Sequence, residues 1–170
     1  MKEKLLLLTI TYLSMTLGAC YSFRGTSIPP DVQTYYVAQF ESNALNAPPT
    51  IANDVTEALK EKVRTQSRLI FEDTNPDVEF KGTVVDFRVT SEAPQPGEFS
   101  AINRLTIVTA VEYISYKKEE DGFRKNFSFF FDFPSDQDLS AVQTDAITEI
   151  LNQIMEDIFN EAFTLSLIHI

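Results

Sequence analysis

Apolar positions along this chain recur with two different periods. Gln33–Phe40 (QTYYVAQF) is rich in aromatic and β-branched residues and predicts a first strand. Ile51, Val55, Leu59 and Val63 then recur every four residues and, with Ala52 and Ala58, form one helix face. Charged Glu57, Lys60, Glu61 and Arg64 line its other side, and Thr50 or Asn53 is the candidate N-cap. Arg68–Glu72 predicts a short strand before the turn Asn75-Pro76-Asp77. Val78–Thr90 predicts a long strand whose inward parity switches. Val78 and Phe80 share one parity, whereas Val85, Phe87 and Val89 share the other, so a bulge is expected near Gly82 or Val84-Val85. Ser91–Phe99 is a loop holding Pro94, Pro96 and Gly97. Ile102–Tyr116 predicts another long strand with Leu105, Ile107, Val111 and Tyr113 on one face. Lys117–Gly122 (KKEEDG) is a hairpin turn, and Phe123–Phe133 is its partner strand, with Phe123, Phe127, Phe129, Phe131 and Phe133 aligned. From about Asp138 to Phe163, Leu139, Val142, Ala146, Ile147, Ile150, Leu151, Ile154, Ile158, Phe159 and Ala162 follow amphipathic-helix spacing.

The order is therefore β-α-β-β-β-α. It predicts an α+β two-layer sandwich, a mostly antiparallel or mixed four-stranded sheet with two helices on one face. A second sheet face is then left to explain. Thr106, Val108, Ala110 and Phe130 fall on it, partly apolar and uncovered by the helices. That face is either a partner or lipid site, or a surface with loop coverage and scattered hydrophobes.

The two ends of the chain read differently from the middle. Lys2 and Lys4 precede an apolar run from Leu5 to Leu17, too short and interrupted for a good spanning helix. It predicts a secretory signal peptide over residues 1–19. The segment closes on Leu17-Gly18-Ala19-Cys20, and Cys20 is the sole cysteine. This resembles the lipobox of bacterial lipoproteins, in which the Cys is acylated and the signal removed just before it. A chance cysteine behind an ordinary signal is the alternative. Several acyl chains on Cys20 would anchor the protein firmly, at about 0.8 kcal/mol per buried CH₂. At the other end, residues 165–170 (LSLIHI) match a translation of the transposon mosaic end used in sequencing libraries. They are expected to be adapter read-through, which leaves residues 20–164 as one domain and His169 without functional weight.

Composition narrows the chemistry. The net charge of −11, from 14 basic and 25 acidic residues, excludes nucleic-acid binding through a basic face. One Cys and one His exclude an internal disulfide and the usual zinc sets. No Ser-His-Asp set, GxGxxG or P-loop is present, and no cofactor is implied. The acidic pairs in Glu119-Glu120-Asp121 and Glu156-Asp157 read as solvated charge, so no enzyme is expected. Asp132–Asp138 (DFPSDQD) lacks EF-hand spacing and reads as a capped loop rather than a Ca²⁺ site. Arg24, Lys81, Arg88, Arg104, Arg124 and Lys125 could pair with a lipid phosphate or acidic sugar, or simply with neighbouring carboxylates.

Three stretches carry a family resemblance. The start Cys20-Tyr21-Ser22-Phe23-Arg24-Gly25, followed by Ser27-Ile28-Pro29-Pro30, resembles LptE-type lipoproteins of the Bacteroidetes. So do Asn103-Arg104-Leu105-Thr106-Ile107 and Glu156-Asp157-Ile158-Phe159-Asn160. The resemblance implies a role in lipopolysaccharide transport. The family lipoprotein plugs the large outer-membrane β-barrel LptD, supports its assembly and can contact lipopolysaccharide in transit. It implies an outer-membrane location, lipid-anchored through Cys20 on the periplasmic side. Tyr21-Ser22-Phe23-Arg24 also lacks the acidic residues of surface-export signals. The basic residues ascribed to lipopolysaccharide contact in enterobacterial relatives have no motif counterpart here. Arg104 is the one lipid-binding candidate, because it lies in a matched stretch. The alternative is a stand-alone periplasm-facing lipoprotein that binds an envelope lipid or polymer.

Overall fold

The computed structural model describes residues 28–92 and 101–163. The expected lipidation site Cys20, Arg24, most of the Ser91–Phe99 loop and the expected read-through lie outside them. The elements are β1 (Thr34–Val37), β2 (Glu41–Ser42), α1 (Ile51–Gln66), β3 (Ile70–Phe71), β4 (Val78–Glu92), β5 (Ile102–Ser115), β6 (Phe123–Pro134) and α2 (Leu139–Phe163). They form an α+β fold with one six-stranded mixed sheet. Its order is β3-β1-β4-β5-β6, with β2 also on β4. The three long strands pair antiparallel, while β1, β2 and β3 pair parallel.

The strand count exceeds the expected four by two, because β2 forms just past the end of the first predicted strand and the short β3 also joins the sheet. Ala38 still donates to Phe80 O at 2.9 Å, but the Phe40 N–H bonds to Thr56 Oγ1 at 3.0 Å. That contact turns the Phe40 ring into the core, over Gly82. A Cβ at Gly82 would lie 2.2 Å from the ring and 2.6 Å from Ala110 O, so only glycine admits the crossing. The chain then re-enters the sheet as β2. The Arg68–Glu72 prediction survives as the two residues of β3.

α1 starts where Thr50 predicted, but by another device. Thr50 makes no side-chain bond to the helix backbone; its hydroxyl donates to Asp54 Oδ2 at 3.0 Å. Asn53 is no cap: its Oδ1 accepts from Gln39 Nε2 at 2.8 Å. Ile51, Val55, Leu59 and Val63 are fully buried, as their spacing requires. Thr56 joins them; its hydroxyl donates to Ala52 O at 2.7 Å while it accepts from Phe40.

The predicted bulge lies between Val84 and Asp86, where the β4–β5 register shifts. It corrects the parity assigned to Val85. Val84 is the buried residue and Val85 is exposed, with Phe87 resuming the inward row. Val89 is also exposed, because it stands at the rim.

α2 follows β6 and lays its apolar stripe over β5 and β6. Phe80, Tyr113, Phe159 and Phe163 form an aromatic cluster, with ring centroids 5.0 to 6.1 Å apart. Each such side chain contributes about 1.5–3 kcal/mol of burial. Lys62 on α1 ties the helices together by pairing with Glu156 on α2, and its ammonium sits 5.8 Å from the Phe159 ring. Among the described residues no helix is long and apolar enough to cross a membrane.

Candidate functional site

With both helices on one side, no element among the described residues covers the opposite face of β4, β5 and β6. Register places its side chains in rows: Lys81–Glu112–Arg124, Thr83–Ala110–Asn126, Asp86–Val108–Ser128, Arg88–Thr106–Phe130 and Thr90–Arg104–Asp132. The predicted second face is thus real. Thr106, Val108 and Ala110 are half-buried by their neighbours, and Phe130 is exposed.

Arg104 stands in the last of these rows. Its guanidinium binds Asp132 through two hydrogen bonds, Nε to Oδ1 at 2.7 Å and Nη2 to Oδ2 at 2.8 Å. It also lies 3.9 Å above the Phe130 ring. The paired Arg104 holds the Asp132 carboxyl below its usual range, and Asp132 in turn raises Arg104. The other cations of this face are partnered as well. Lys81 pairs with Glu79 at 3.3 Å, Arg124 with Glu112 at 2.8 Å, and Arg88 with Asp86. Lys125 pairs with Glu161 on α2 at 2.8 Å. The chain's acidity therefore lies elsewhere: α2 carries Asp145, Glu149, Glu156, Asp157 and Glu161 and no basic residue. The open face is polar and internally charge-matched.

Two carboxylates that the sequence does not single out, Asp77 and Glu79, hold one end of this face. Asp77 accepts the backbone N–H of Gln33 at 2.7 Å and of Thr34 at 3.0 Å, and pairs with Lys117 at 2.9 Å. The Gln33 hydrogen bond and the Lys117 ammonium pull its pKa to about 2. Asp77 thereby bolts β1 to the start of β4. Glu79 is buried on the open face and accepts the Tyr116 hydroxyl at 2.5 Å. That bond raises the Tyr116 pKa. Each acid adjoins or alternates with apolar residues, the pattern of a solvated strand face, so nothing in the sequence distinguishes them.

Acid chemistry finds no support in the geometry. Glu119, Glu120 and Asp121 sit exposed in a short 3₁₀ turn. Lys62 lowers the Glu156 pKa, the direction opposite to that needed by a general acid at neutral pH. In the Asp132–Asp138 loop, Asp132 is taken by Arg104 while the Asp138 carbonyl accepts the Ala141 N–H at 3.0 Å. No group of three or more metal-ligating residues occurs among the described residues. An open hollow of about 390 Å³ lies between Lys81 and Arg124, over Thr83 and Ala110. Its two cations are already neutralised by Glu79 and Glu112.

Comparison with known proteins supplies what this geometry cannot. The fold is similar to that of the hypothetical protein CT253 from Chlamydia trachomatis, with a TM-score of 0.50 at 4% identity. That match covers 77% of this chain and 98% of the other. It is also similar to protein XCC0632 from Xanthomonas campestris, with a TM-score of 0.50 at 12% identity, covering 79% and 87% of the two chains. At such identities these likenesses concern the fold alone. No curated protein sequence matches the chain. The model of the family LptE, Lipopolysaccharide-assembly, matches residues 32–162, which is nearly all of the described domain. The chain therefore belongs to the LptE family and is a lipopolysaccharide-assembly lipoprotein of the cell envelope, not an enzyme.

Proposed function

We propose that this protein plugs an LptD-type outer-membrane β-barrel and supports its assembly, held at the periplasmic side of the outer membrane by acyl chains on Cys20. The observation that carries the reading is the family match over residues 32–162. The open sheet face supports it physically. A barrel lumen is polar and filled by side chains or water. A face whose cations are each matched to a carboxylate can enter such a lumen without burying unpaired charge. In this reading Arg104 is the residue offered to lipopolysaccharide, exchanging Asp132 for a lipid phosphate.

The test is extraction of the tagged protein from native outer membranes in mild detergent. A stoichiometric large β-barrel should co-purify, and Cys20→Ala should release the protein from the membrane fraction. Recovery of an intact, membrane-bound monomer without a barrel would move the assignment to a stand-alone lipoprotein that binds an envelope lipid or polymer.

A further inference from the structure

β6 ends the sheet, and among the described residues no strand pairs with its outer edge. Ser135 donates to Ala101 O at 3.2 Å, one step beyond the register pair of Ile102 with Pro134. Bonded and unbonded pairs alternate along an antiparallel ladder, so Phe127 and Lys125 bond to β5. Arg124, Asn126 and Ser128 turn their N–H and C=O groups outward, a template for another strand. An open groove of about 550 Å³ runs beside this stretch, between Lys125–Ser128 and Asp157, Asn160 and Glu161 of α2. Glu161 is paired with Lys125 at 2.8 Å. Asp157 has no cation among the described residues and accepts from Gln153 Nε2 at 3.0 Å. Beyond Ser128 the Phe129 and Phe130 rings stack, 5.6 Å apart. Successive strand residues point to opposite faces, so these rings meet only around the free edge, and they close the groove with an apolar wall.

We propose that this groove binds an extended segment of another protein, added to the edge of β6 as a further strand, with a basic residue beside Asp157 and an apolar residue against the Phe129–Phe130 stack. A strand edge flanked by a helix suits an extended peptide: main-chain bonds give affinity and side-chain pockets give specificity. Here Asn126 and Ser128 supply the main-chain bonds. The occupant's residue between those two bonds lies opposite Phe127, on the helix side, towards Asp157. Its next residue on that side lies opposite Phe129 and meets the stacked rings. α2 carries acids and no basic residue, so a cation is the charge this wall lacks. The same acidity argues against a second copy as occupant. Antiparallel two-fold pairing of two β6 edges would set both α2 helices side by side on one face of the joined sheet, acid against acid. The paired stretch is short and buries less than the roughly 800 Å² per partner of a standard interface, so the affinity is modest.

An NMR titration of the full chain in mild detergent tests this, with a capped Val-Thr-Lys-Thr-Val peptide whose pattern is the same in either strand direction. The Asn126 and Ser128 amide signals should move most and should saturate. N-methylation of both threonines removes the donors that face β6 and leaves the charge unchanged; it should weaken binding by about tenfold. N-methylation of both valines, whose N–H groups face away, should not. Ser128→Pro removes an outward N–H that takes no part in the β5–β6 ladder, so it should abolish binding at an unchanged urea midpoint. The methylated peptides decide the question by themselves should that variant unfold. Glutamate in place of the peptide's lysine should weaken binding by about fivefold, and Asp157→Lys should restore it. Signals moving all along α2 instead of at the edge, equal binding of the threonine-methylated peptide, or no rescue by the charge swap would overturn the proposal. So would Asn126 and Ser128 amides that are protected by concentration-dependent pairing of the chain with itself. Barrel co-purification is read separately, so this proposal and the plug reading fail by different results.

Discussion

On the helix side of β5, Leu105, Ile107, Val111 and Tyr113 are 5% exposed or less, and beneath them lie the aromatic cluster and the stripe of α2. On the other side of the same strand, Arg104, Thr106, Val108, Ala110 and Glu112 are half-buried, among the described residues, by their sheet neighbours alone. The two sides are built from one backbone, yet they hold the fold by different means. The covered side gains from removing apolar area from water, roughly in proportion to that area. The open side gains little from its ion pairs, because exposed pairs contribute about 0–1 kcal/mol each. Stability thus comes from the covered side, which leaves the open side free to serve a partner.

Truncating one aromatic on each side tests that division most severely. Phe80→Ala should cost about 3–5 kcal/mol in urea unfolding, while Phe130→Ala should cost under about 1 kcal/mol. Comparable losses would mean that the open face is part of the core. The next largest effect belongs to Asp77, whose hydrogen bonds from two backbone N–H groups hold the end of the sheet. Asp77→Ala should cost about 2 kcal/mol. Its pKa is about 2 in the fold against an ordinary 3.8, so the ionised form is favoured by folding. Its contribution is complete above about pH 4 and is lost as pH falls towards 2. Asp132 and Glu156 are lowered too and act in the same direction. Thermal melts should therefore drop through this window in the parent chain and drop less in the Asp77→Ala variant.

A smaller effect of opposite sign is expected at Thr109. It is fully buried on the helix side, opposite Val84 and Phe127, and its hydroxyl has no hydrogen-bond partner. Thr109→Val should raise stability by about 1 kcal/mol, because an unpaired buried hydroxyl is removed. A loss would show that the hydroxyl is solvated or bonded in solution. Smallest of all, Arg104→Ala should leave the urea unfolding midpoint almost unchanged, since its pair with Asp132 is one-third exposed. If the same substitution lowers recovery of lipopolysaccharide with the purified protein, Arg104 serves the ligand and not the fold.

Much of this architecture was legible in the amino-acid order. The four-residue recurrence of Ile51, Val55, Leu59 and Val63 and the long stripe from Leu139 to Phe163 specify two helices with one apolar face each. The alternation in β5 and β6 specifies which side those helices cover. Even the bulge was announced by the parity change between Phe80 and Phe87, because period-two patterning cannot change face without an extra residue. Those features are local, and local chemistry decides them. What the order of residues could not reveal depends on distant contacts. Phe40 breaks the first strand because Thr56 and Gly82 await it from other elements. Asp77 and Glu79 become structural because Gln33, Lys117 and Tyr116 come to them from remote parts of the chain. Arg104 loses its appearance as a free cation because β6 brings Asp132 and Phe130 beside it. Hydrophobic period is a property of neighbours along the chain. Which charges meet, and which strand edge stays open, is set only when the strands have chosen their order.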